Sequence, residues 1–346
     1  MEHTNFGGAV AFQGIIAHSH GLQEGTNHTL DVDTDSLSGD SALGDDPAES
    51  TLSLRESLYS GVDENGRKYH KYKEGSYILP SDDTELDRLD LQHQVFLLTT
   101  DYKLHLAPIK ERPEWVLDVG TGTGIWAIDF AAEYPDAQII GVDLAPSQPD
   151  FVPTNCRFEI DDVEEEWTWS QKFDYIHARM MTASFSDYPK FFKQAFDQLQ
   201  PGAYLEMQDQ GFPPQCQDGT LKSDSALSIW GEKIVSALGM FGKELAAPKY
   251  KQYMLDAGFV DVVEVQYVWP QNTWPKDQKL KELGRWHLAN SLDGLEGFSM
   301  ALCTRAHGMT TEEVQLLMMD VRKDMKDRSI HAYWPMFFVY GRKPEI

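Results

Sequence analysis

Short apolar runs alternate with helical stretches through the middle of the chain. These runs lie at residues 115–119, 139–142, 157–160, 173–178 and 203–208. Each is entered from turn or helical sequence, and this alternation predicts parallel strands joined by right-handed helical crossovers. Two further β-rich runs near the C-terminus, at 260–268 and 333–340, bring the expected number of strands to seven.

Helical periodicity marks the segments around these runs. Apolar residues fall on one face between residues 82 and 97, behind Asp82 or Asp83, either of which can cap a helix. A second amphipathic pattern covers residues 191–199, and Pro201-Gly202 supplies its stop. We therefore expect one helix leading into the sheet and another before the fifth strand.

Two long and largely helical segments interrupt the alternation. Residues 211–248 follow the fifth strand, and residues 271–330 separate the last two. Insertions at the end of a sheet commonly form the lid and floor of a substrate pocket. The expected organisation is a domain at 113–346 carrying these insertions, preceded by an N-terminal extension and leading helix at 56–112.

The first 55 residues have a different character. They are rich in Gly, Ser, Asp and Thr, with Arg55 as the only Lys or Arg. Such a segment cannot bury enough apolar surface to offset its chain entropy, so we interpret residues 1–55 as a disordered acidic tail. The basic segment 66–73 is interleaved with aromatic residues, and we interpret it as a solvated turn rather than a nuclear import signal.

Composition narrows the classes of partner. The 346 residues carry a formal net charge of −25, which opposes direct binding to nucleic acid backbones. Three widely separated cysteines give no metal-ligand spacing and fit a reducing compartment, so we expect no metal. No apolar run is long enough to cross a bilayer, and MEHTNFGGAV lacks the features of a secretion signal. These observations predict a soluble intracellular protein. We expect it in the cytoplasm, with the nucleus as an alternative location.

The most informative segment is the first strand with the glycine-rich turn that follows it. The run at 115–119 ends in Gly120-Thr121-Gly122-Thr123-Gly124 and passes directly into a helical pattern. A buried strand thus turns sharply into a helix whose free backbone N–H groups are expected to face a ligand. The next strand stops at Asp143, where a carboxylate can accept hydrogen bonds from both hydroxyls of a ribose.

Asp118 decides between the ligands that such a unit can bind. A dinucleotide site needs a bare helix N-terminus near the pyrophosphate, and acidic side chains beside it are unfavourable. Asp118 lies two residues before the first glycine, where a carboxylate suits an ammonium group such as the methionine end of S-adenosylmethionine. The residues favour an adenosyl ligand, with a ligand-free glycine turn as the alternative.

Several blocks in order carry a resemblance to a known family. They are VLDVGTGTGIWAIDFA, IIGVDLAPSQP, RFEIDDVEEEWTW, FDYIHARMM, LEMQDQ and FFVYGRKP, with YILPSDDTELDRLDLQH upstream. Together, from about Tyr69 to the C-terminus, they resemble the fungal LaeA-like branch of class I S-adenosylmethionine-dependent methyltransferases. The resemblance implies an α/β fold: a three-layer, Rossmann-like, seven-stranded sheet whose last strand is antiparallel.

The resemblance also assigns roles to individual residues. It places Asp118 and the turn residues Gly120, Thr121, Gly122, Thr123 and Gly124 around the methionine moiety, and Asp143 with Leu144 at the ribose. It implies that Asp162 and Val163 bind the adenine, the first through its carboxylate and the second through its backbone N–H. Tyr77 would close over the cofactor, or alternatively anchor the first helix as an ordinary surface aromatic.

A catalytic base is not evident from the sequence. Arg179 and His177 end the fourth strand, where the transferred methyl group should face the acceptor. His177 is the candidate base, although a histidine ending a strand is more often a packing residue. Glu206 and Asp209, at the end of the fifth strand, are further candidates for the base. Alternatively, they are acidic residues at the edge of the sheet without a catalytic role. We expect Trp126 to pack in the core, with a wall of the cofactor site as the alternative.

Three functions remain open at this point. The first is a methyltransferase of fungal secondary metabolism, either a LaeA-like regulator or a natural-product tailoring enzyme, acting on a small-molecule or protein acceptor. This first function also allows for a regulatory protein partner. The second is a non-catalytic interaction module that retains the cofactor fold. The third, a nicotinamide-dependent oxidoreductase, is disfavoured by Asp118 and by GxGxG in place of GxGxxG.

Overall fold

A computed structural model describes residues 61–70 and 80–345 of the chain. The predicted acidic tail, residues 1–55, and Tyr77 lie outside these residues. None of the helices within the described ranges is long and apolar enough to cross a membrane.

The core is a seven-stranded sheet in the order β5-β4-β3-β6-β7-β9-β8. Strands β3 to β7 are mutually parallel, whereas β9 runs antiparallel to both of its neighbours. This confirms the predicted seven strands with the last one antiparallel. The strands are Trp115–Val119 (β3), Gln138–Asp143 (β4), Cys156–Ile160 (β5), Phe173–Arg179 (β6), Leu199–Gln210 (β7), Val260–Pro270 (β8) and Tyr333–Arg342 (β9).

Seven α-helices accompany these strands within the described part of the chain. They are Asp83–Thr99 (α1), Ile125–Glu133 (α2), Tyr188–Gln198 (α3), Ala226–Met240 (α4), Tyr250–Ala257 (α5), Gln278–His307 (α6) and Thr311–Lys326 (α7). A short 3-10 helix, Ala247–Lys249, leads into α5. Helix α4 lies within the predicted insertion 211–248, and α6 and α7 lie within 271–330.

Apolar burial on both faces of the sheet produces the three layers. One cluster packs the sheet against α3 and α5 and includes Phe191 and Tyr250. On the opposite face, a smaller cluster centres on Trp126 and Phe130 of α2. Trp126 is 2% exposed and its indole N–H donates to the Leu104 carbonyl at 2.9 Å, so it packs in the core as expected.

The inserted helices build a core of their own. Helices α1, α4, α6 and α7 pack with strands β8 and β9 around the buried indoles of Trp230, Trp269 and Trp334. Two of these indoles form hydrogen bonds: the Trp269 indole donates to Thr99 Oγ1 at 2.7 Å, and that of Trp334 donates to Gln271 Oε1 at 2.7 Å. This second core fixes α4 and α6 relative to the sheet.

Two local predictions differ from the structure. The fifth strand of the main sheet, β7, begins at Leu199 directly after α3 rather than at residue 203, and a register shift between Phe173 and Tyr175 accommodates the extra residues. Pro201-Gly202 therefore lies within a strand, where Gly202 takes a φ of +81°. The turn residues mark an irregularity in the strand rather than the end of the helix.

The basic segment forms a strand and not only a solvated turn. Gly61–Glu64 (β1) and Arg67–His70 (β2) make an antiparallel hairpin around Asn65-Gly66, both with positive φ. Arg67 Nε donates to Asp82 Oδ2 at 2.6 Å, and Asp82 caps α1 by accepting from the Glu85 amide. The hairpin is therefore attached to the start of the leading helix.

Candidate functional site

The turn between β3 and α2 requires glycine at two positions for steric reasons. Gly120 has a φ of +68°, and a Cβ there would lie 2.3 Å from Met181 Sδ. Gly124 has a φ of +80°, and a Cβ there would lie 2.3 Å from Phe158 Cζ. Both the backbone conformation and the close approach of neighbouring side chains exclude larger residues.

Most amides of the turn are already bonded within the protein. Gly120 and Thr121 donate to the Val142 carbonyl at 2.9 and 3.1 Å, and Gly124 donates to the Thr121 carbonyl at 2.9 Å. Gly122 donates to Asp143 Oδ2 at 2.8 Å. The expectation that these N–H groups face a ligand is therefore corrected: these amides hold the loop against β4 and within its own turn.

Asp143 ends β4 as predicted and borders the adjoining cavity. Its Oδ2 accepts from Gly122, and its Oδ1 accepts from the Ala145 amide at 3.0 Å. Burial raises the pKa of this carboxyl, and the two backbone hydrogen bonds oppose that rise. Each oxygen retains lone-pair capacity for a hydroxyl group of a ligand.

Asp118 and His177 form a buried pair beneath the turn. Asp118 Oδ1 lies 2.7 Å from His177 Nδ1, and Asp118 Oδ2 accepts from Thr121 Oγ1 at 2.6 Å. The His177 ring is wholly buried and stacks on Trp126 with centroids 3.8 Å apart. The two residues are opposite each other in the register of β3 and β6.

This pairing changes the positions expected for two site residues. Neither Asp118 nor His177 lines the cavity. Asp118 contacts the turn through Thr121, and its role beside the methionine moiety stays a prediction. His177 is placed as a packing residue rather than as a base beside an acceptor, because the imidazole is enclosed by Trp126 and Asp118.

A cavity of about 190 Å³ opens at the carboxyl ends of β3, β4, β5 and β6. Its walls include most of the residues predicted to bind a cofactor. These are Gly120, Thr121, Gly122, Thr123, Asp143, Leu144, Asp162, Val163 and Arg179. Gly124 is not among them, because it packs against Phe158.

Asp162 and Val163 form one wall of the cavity in the loop after β5. Asp162 is 8% exposed and its Oδ1 accepts from the Glu164 amide at 2.9 Å. The Val163 carbonyl accepts from the Trp167 indole at 2.9 Å. These bonds fix the loop and hold both residues at the cavity.

Arg179 supplies a buried positive charge to the cavity. Its guanidinium donates to His93 Nδ1 at 3.0 Å and lies 4.5 Å above the Phe96 ring. Burial lowers its pKa to about 10, so it remains charged near neutral pH. Among the described residues, no carboxylate forms an ion pair with it, whereas the nearby Arg88 is paired with Glu85 at 2.6 Å.

His93 fixes the orientation of that guanidinium. Its Nδ1 accepts from Arg179, so the proton of the neutral ring is on Nε2, which donates to Asp129 Oδ2 at 2.9 Å. Burial lowers the pKa of His93, which favours this neutral form. The chain Asp129, His93, Arg179 was not predicted, because it joins three separate elements.

Much of the rest of the cavity is apolar, and the sequence did not single out its individual residues, although the two insertions were expected to border a pocket. Part of it comes from the segment after β6, a strand end that could have indicated it. The rest comes from the insertions and depends on how α4 and α6 pack. The main apolar residues are Met180, Met181, Phe185, Phe212, Ile234, Leu238, Leu245, Phe298 and Leu302.

The two further acids considered as bases have structural roles. Glu206 is wholly buried and accepts from the Leu106 and Ala107 amides and from the Tyr175 hydroxyl. Asp209 accepts from the Met181 and Thr182 amides at 3.0 Å, which secures the segment after β6. Neither acid lines the cavity.

Comparisons with known proteins agree with this architecture. Residues 91–264 match a family model described as a methyltransferase domain. The methyltransferase pytC of Aspergillus terreus is 37% identical over 317 residues, covering 91% of this chain and 95% of that protein. The secondary metabolism regulator LAE1 of Cochliobolus heterostrophus is 36% identical, covering 82% and 94% respectively.

A third relative extends the same pattern. The protein-methionine methyltransferase laeA of Emericella nidulans is 34% identical over 287 residues, covering 82% of this chain and 76% of that protein. The family match, these relatives, the sheet order and the glycine turn agree with one another. The chain belongs to the LaeA-like branch of the class I S-adenosylmethionine-dependent methyltransferases.

Proposed function

We propose that this chain transfers the methyl group of S-adenosylmethionine to a small, mostly apolar acceptor molecule in fungal secondary metabolism. The observation that carries the proposal is the division of the cavity into two parts. Its polar part lies at the strand ends, around Asp143, Asp162 and Arg179, and its apolar part lies against α4 and α6. A cavity with these two parts fits a polar donor beside an apolar acceptor.

The residues of the polar part fit S-adenosylmethionine. Asp143 has lone pairs for the ribose hydroxyls, and Asp162 and Val163 border the place for the adenine. The unpaired guanidinium of Arg179 supplies the countercharge for the methionine carboxylate. The absence of a side chain at Gly120 lets Met181 pack closely on the turn beside the site.

A nicotinamide dinucleotide fits the same residues poorly. The turn amides that would cradle a pyrophosphate are bonded to Val142, Thr121 and Asp143. Asp161, Asp162 and Glu164 line the cavity and would repel a diphosphate. The electrostatics therefore favour the adenosyl donor over an oxidoreductase cofactor.

The chemistry requires positioning more than proton transfer. When bound, S-adenosylmethionine supplies an electrophilic methyl group on a sulfonium, with a neutral leaving group. Arg179 and Asp143 would fix the donor, while Phe212, Phe298 and the α4 side chains would hold the acceptor in line and exclude water. His177, Glu206 and Asp209 lie outside the cavity, so none is proposed to accept the acceptor's proton.

Calorimetric titration of the full chain with S-adenosylmethionine and with NAD tests the cofactor proposal. Binding heat with the adenosyl ligand and none with NAD is expected. Heat with NAD alone would overturn it.

A protein acceptor is the second candidate. Its support is the similarity to proteins named as a secondary metabolism regulator and as a protein-methionine methyltransferase. In that case an acceptor side chain from another protein would have to enter the apolar part of the cavity. The fate of a labelled methyl group distinguishes the two acceptor classes.

A further inference from the structure

A second, smaller cavity adjoins the main one. Its volume is about 30 Å³, and it shares Gln92, Met180, Phe212 and Phe298 with the main cavity as lining residues. Phe212 and Phe298 line both spaces, and their ring centroids are 6.5 Å apart. A space of this size exceeds what one water molecule needs and accepts a single small functional group, but no ring.

His287 of α6 lines this cavity and carries a buried, unsatisfied polar atom. The side chain is 1% exposed, and its Nδ1 has no hydrogen-bond partner among the described residues. Its Nε2 lies 3.2 Å from Ser291 Oγ. A buried polar atom left without a partner is costly, so a native structure seldom retains one without a reason.

Burial also fixes the charge of His287. Desolvation lowers its pKa to about 3, so the ring is neutral near neutral pH. A neutral imidazole offers either a donor or an acceptor at Nδ1, depending on its tautomer. A hydroxyl group satisfies either tautomer, because it both donates and accepts.

Three side-chain amides converge on the same small cavity. Those of Gln92 and Gln210 are 4% and 7% exposed as residues and form no hydrogen bond with any other described side chain or backbone group. Asn290 Oδ1 accepts from Arg88 at 2.8 Å, which leaves its NH₂ group available. The remaining walls include the indoles of Trp230 and Trp334.

We propose that this small cavity is the far end of the acceptor site, and that His287 binds a hydroxyl group of an uncharged, ring-containing acceptor. The apolar body of the acceptor lies against Phe212, Phe298 and Ile234 in the main cavity. Its hydroxyl points from there into the small cavity, toward Nδ1 of His287. The inference rests on the proposed function, because the same molecule must reach the bound methyl donor.

The charges around the cavity exclude an ionised group at this position. The neutral His287 offers no countercharge, and Arg88 is held by a bidentate pair with Glu85. A carboxylate or phosphate would be desolvated there without compensation. The part of the acceptor that enters the small cavity should therefore be polar but uncharged.

Matched pairs of ring compounds test the proposal. Ligand-observed NMR would measure binding to the full chain in the presence of S-adenosylhomocysteine. Each hydroxylated compound is compared with its parent: hydroxyindole against indole, hydroxyquinoline against quinoline, and naphthol against naphthalene. At least one hydroxylated member should bind about tenfold more tightly than its parent compound. The His287→Phe variant should lose that preference while it binds the parent compound equally well.

The control is His105→Phe, which makes the same change in a partly buried ring on the other side of the sheet. His105 packs near Phe130 and Tyr134 and should leave the hydroxyl preference intact. A wild-type protein without hydroxyl preference in any pair would overturn the inference. So would a crystal structure in which a bound hydroxyl points elsewhere and an ordered water stays on His287.

The two proposals fail in different ways. Calorimetric binding of S-adenosylmethionine to the same preparation tests the methyl donor alone. Donor binding without hydroxyl preference would overturn the acceptor inference and leave the methyltransferase proposal in place. Absence of donor binding would overturn the methyltransferase proposal. If His287→Phe fails to fold, a crystal structure of the wild-type chain with the preferred hydroxylated compound decides: a hydroxyl on His287 Nδ1 supports the inference, and a hydroxyl bound elsewhere overturns it.

Discussion

Asp143 borders the cavity with both carboxylate oxygens anchored by backbone amides. Gly122 and Ala145 orient the carboxylate, so a ribose would meet a group already in position. Such preorganisation limits the entropy lost when a ligand binds. The contribution of this acid to cofactor affinity follows directly from that arrangement.

The Asp143→Ala variant should bind S-adenosylmethionine more weakly. Removal of a charge-assisted hydrogen bond costs about 1.5 to 3 kcal/mol, or roughly tenfold to a hundredfold in affinity. Isothermal titration of the variant measures it, with Asp150→Ala as a control because Asp150 is an exposed acid of the same loop. Equal affinities for both variants would mean that Asp143 does not hold the ribose.

His287 also predicts how stability depends on pH. Its pKa in the folded protein, about 3, lies below the ordinary value of 6.5, so the unfolded chain takes up the proton first as pH falls. Stability from this group is therefore complete above about pH 6.5 and is lost progressively toward about pH 3. Acidification from pH 6.5 to about pH 5 should cost about 2 kcal/mol.

Denaturant unfolding at these two pH values measures this effect. The His287→Phe variant lacks the titrating group, so its free energy of unfolding should fall by about 2 kcal/mol less than that of the wild type. Parallel losses in the two proteins would show that His287 does not govern acid stability.

At the scale of elements, the turn from β3 to α2 combines two separate demands on glycine. Gly120 needs a positive φ, and it also lies against Met181, whose sulfur would be 2.3 Å from an added Cβ. Gly242 has the same φ of +68°, but an added Cβ would meet nothing within 4 Å. The two positions therefore separate backbone strain from steric contact.

Gly120→Ala should weaken both folding and cofactor binding, whereas Gly242→Ala should show only the strain of a left-handed alanine. That strain is about 1 kcal/mol, and displacement of Met181 adds to it at position 120. Thermal unfolding with and without S-adenosylmethionine measures both effects. A Gly120→Ala protein that matches Gly242→Ala in stability and ligand response would refute the importance of the close contact.

The strands of the main sheet were predictable because their burial appears as continuous apolar sequence. Strand β4 shows this, since its interior residues are buried on both faces. The β1 and β2 hairpin was missed because its strands are polar, although Asn65-Gly66 is a typical sequence for a tight hairpin turn. The contact of Arg67 with Asp82 joins residues distant in the sequence, so local sequence does not record it.

The residues of the site also divide into those that the sequence predicts and those that it does not. Gly120, Gly122, Asp143 and Arg179 were expected at the site from their positions at strand ends, and Asp162 was expected there from the family resemblance. The buried pair of Asp118 with His177 depends on which strands are neighbours and in what register. The apolar walls depend on the packing of α4 and α6, which periodicity alone does not specify.

At the scale of the whole molecule, the sheet and the inserted helices contribute different surfaces to the cavity. In the proposed function, the polar groups at the sheet edge hold the methyl donor and the insertions enclose the acceptor. The net charge of −25 makes a nucleic acid an improbable acceptor and favours neutral or basic partners. This division is the central claim about the protein.

Transfer of a labelled methyl group tests that claim most directly. Purified chain is incubated with methyl-labelled S-adenosylmethionine and an extract of a fungus that produces secondary metabolites, and the label is then followed into protein and into organic solvent. The account predicts label in an extractable small molecule, reduced by Asp143→Ala and retained by Asp150→Ala. Label confined to protein would contradict the small-molecule acceptor, and donor binding without any transfer would indicate a non-catalytic module.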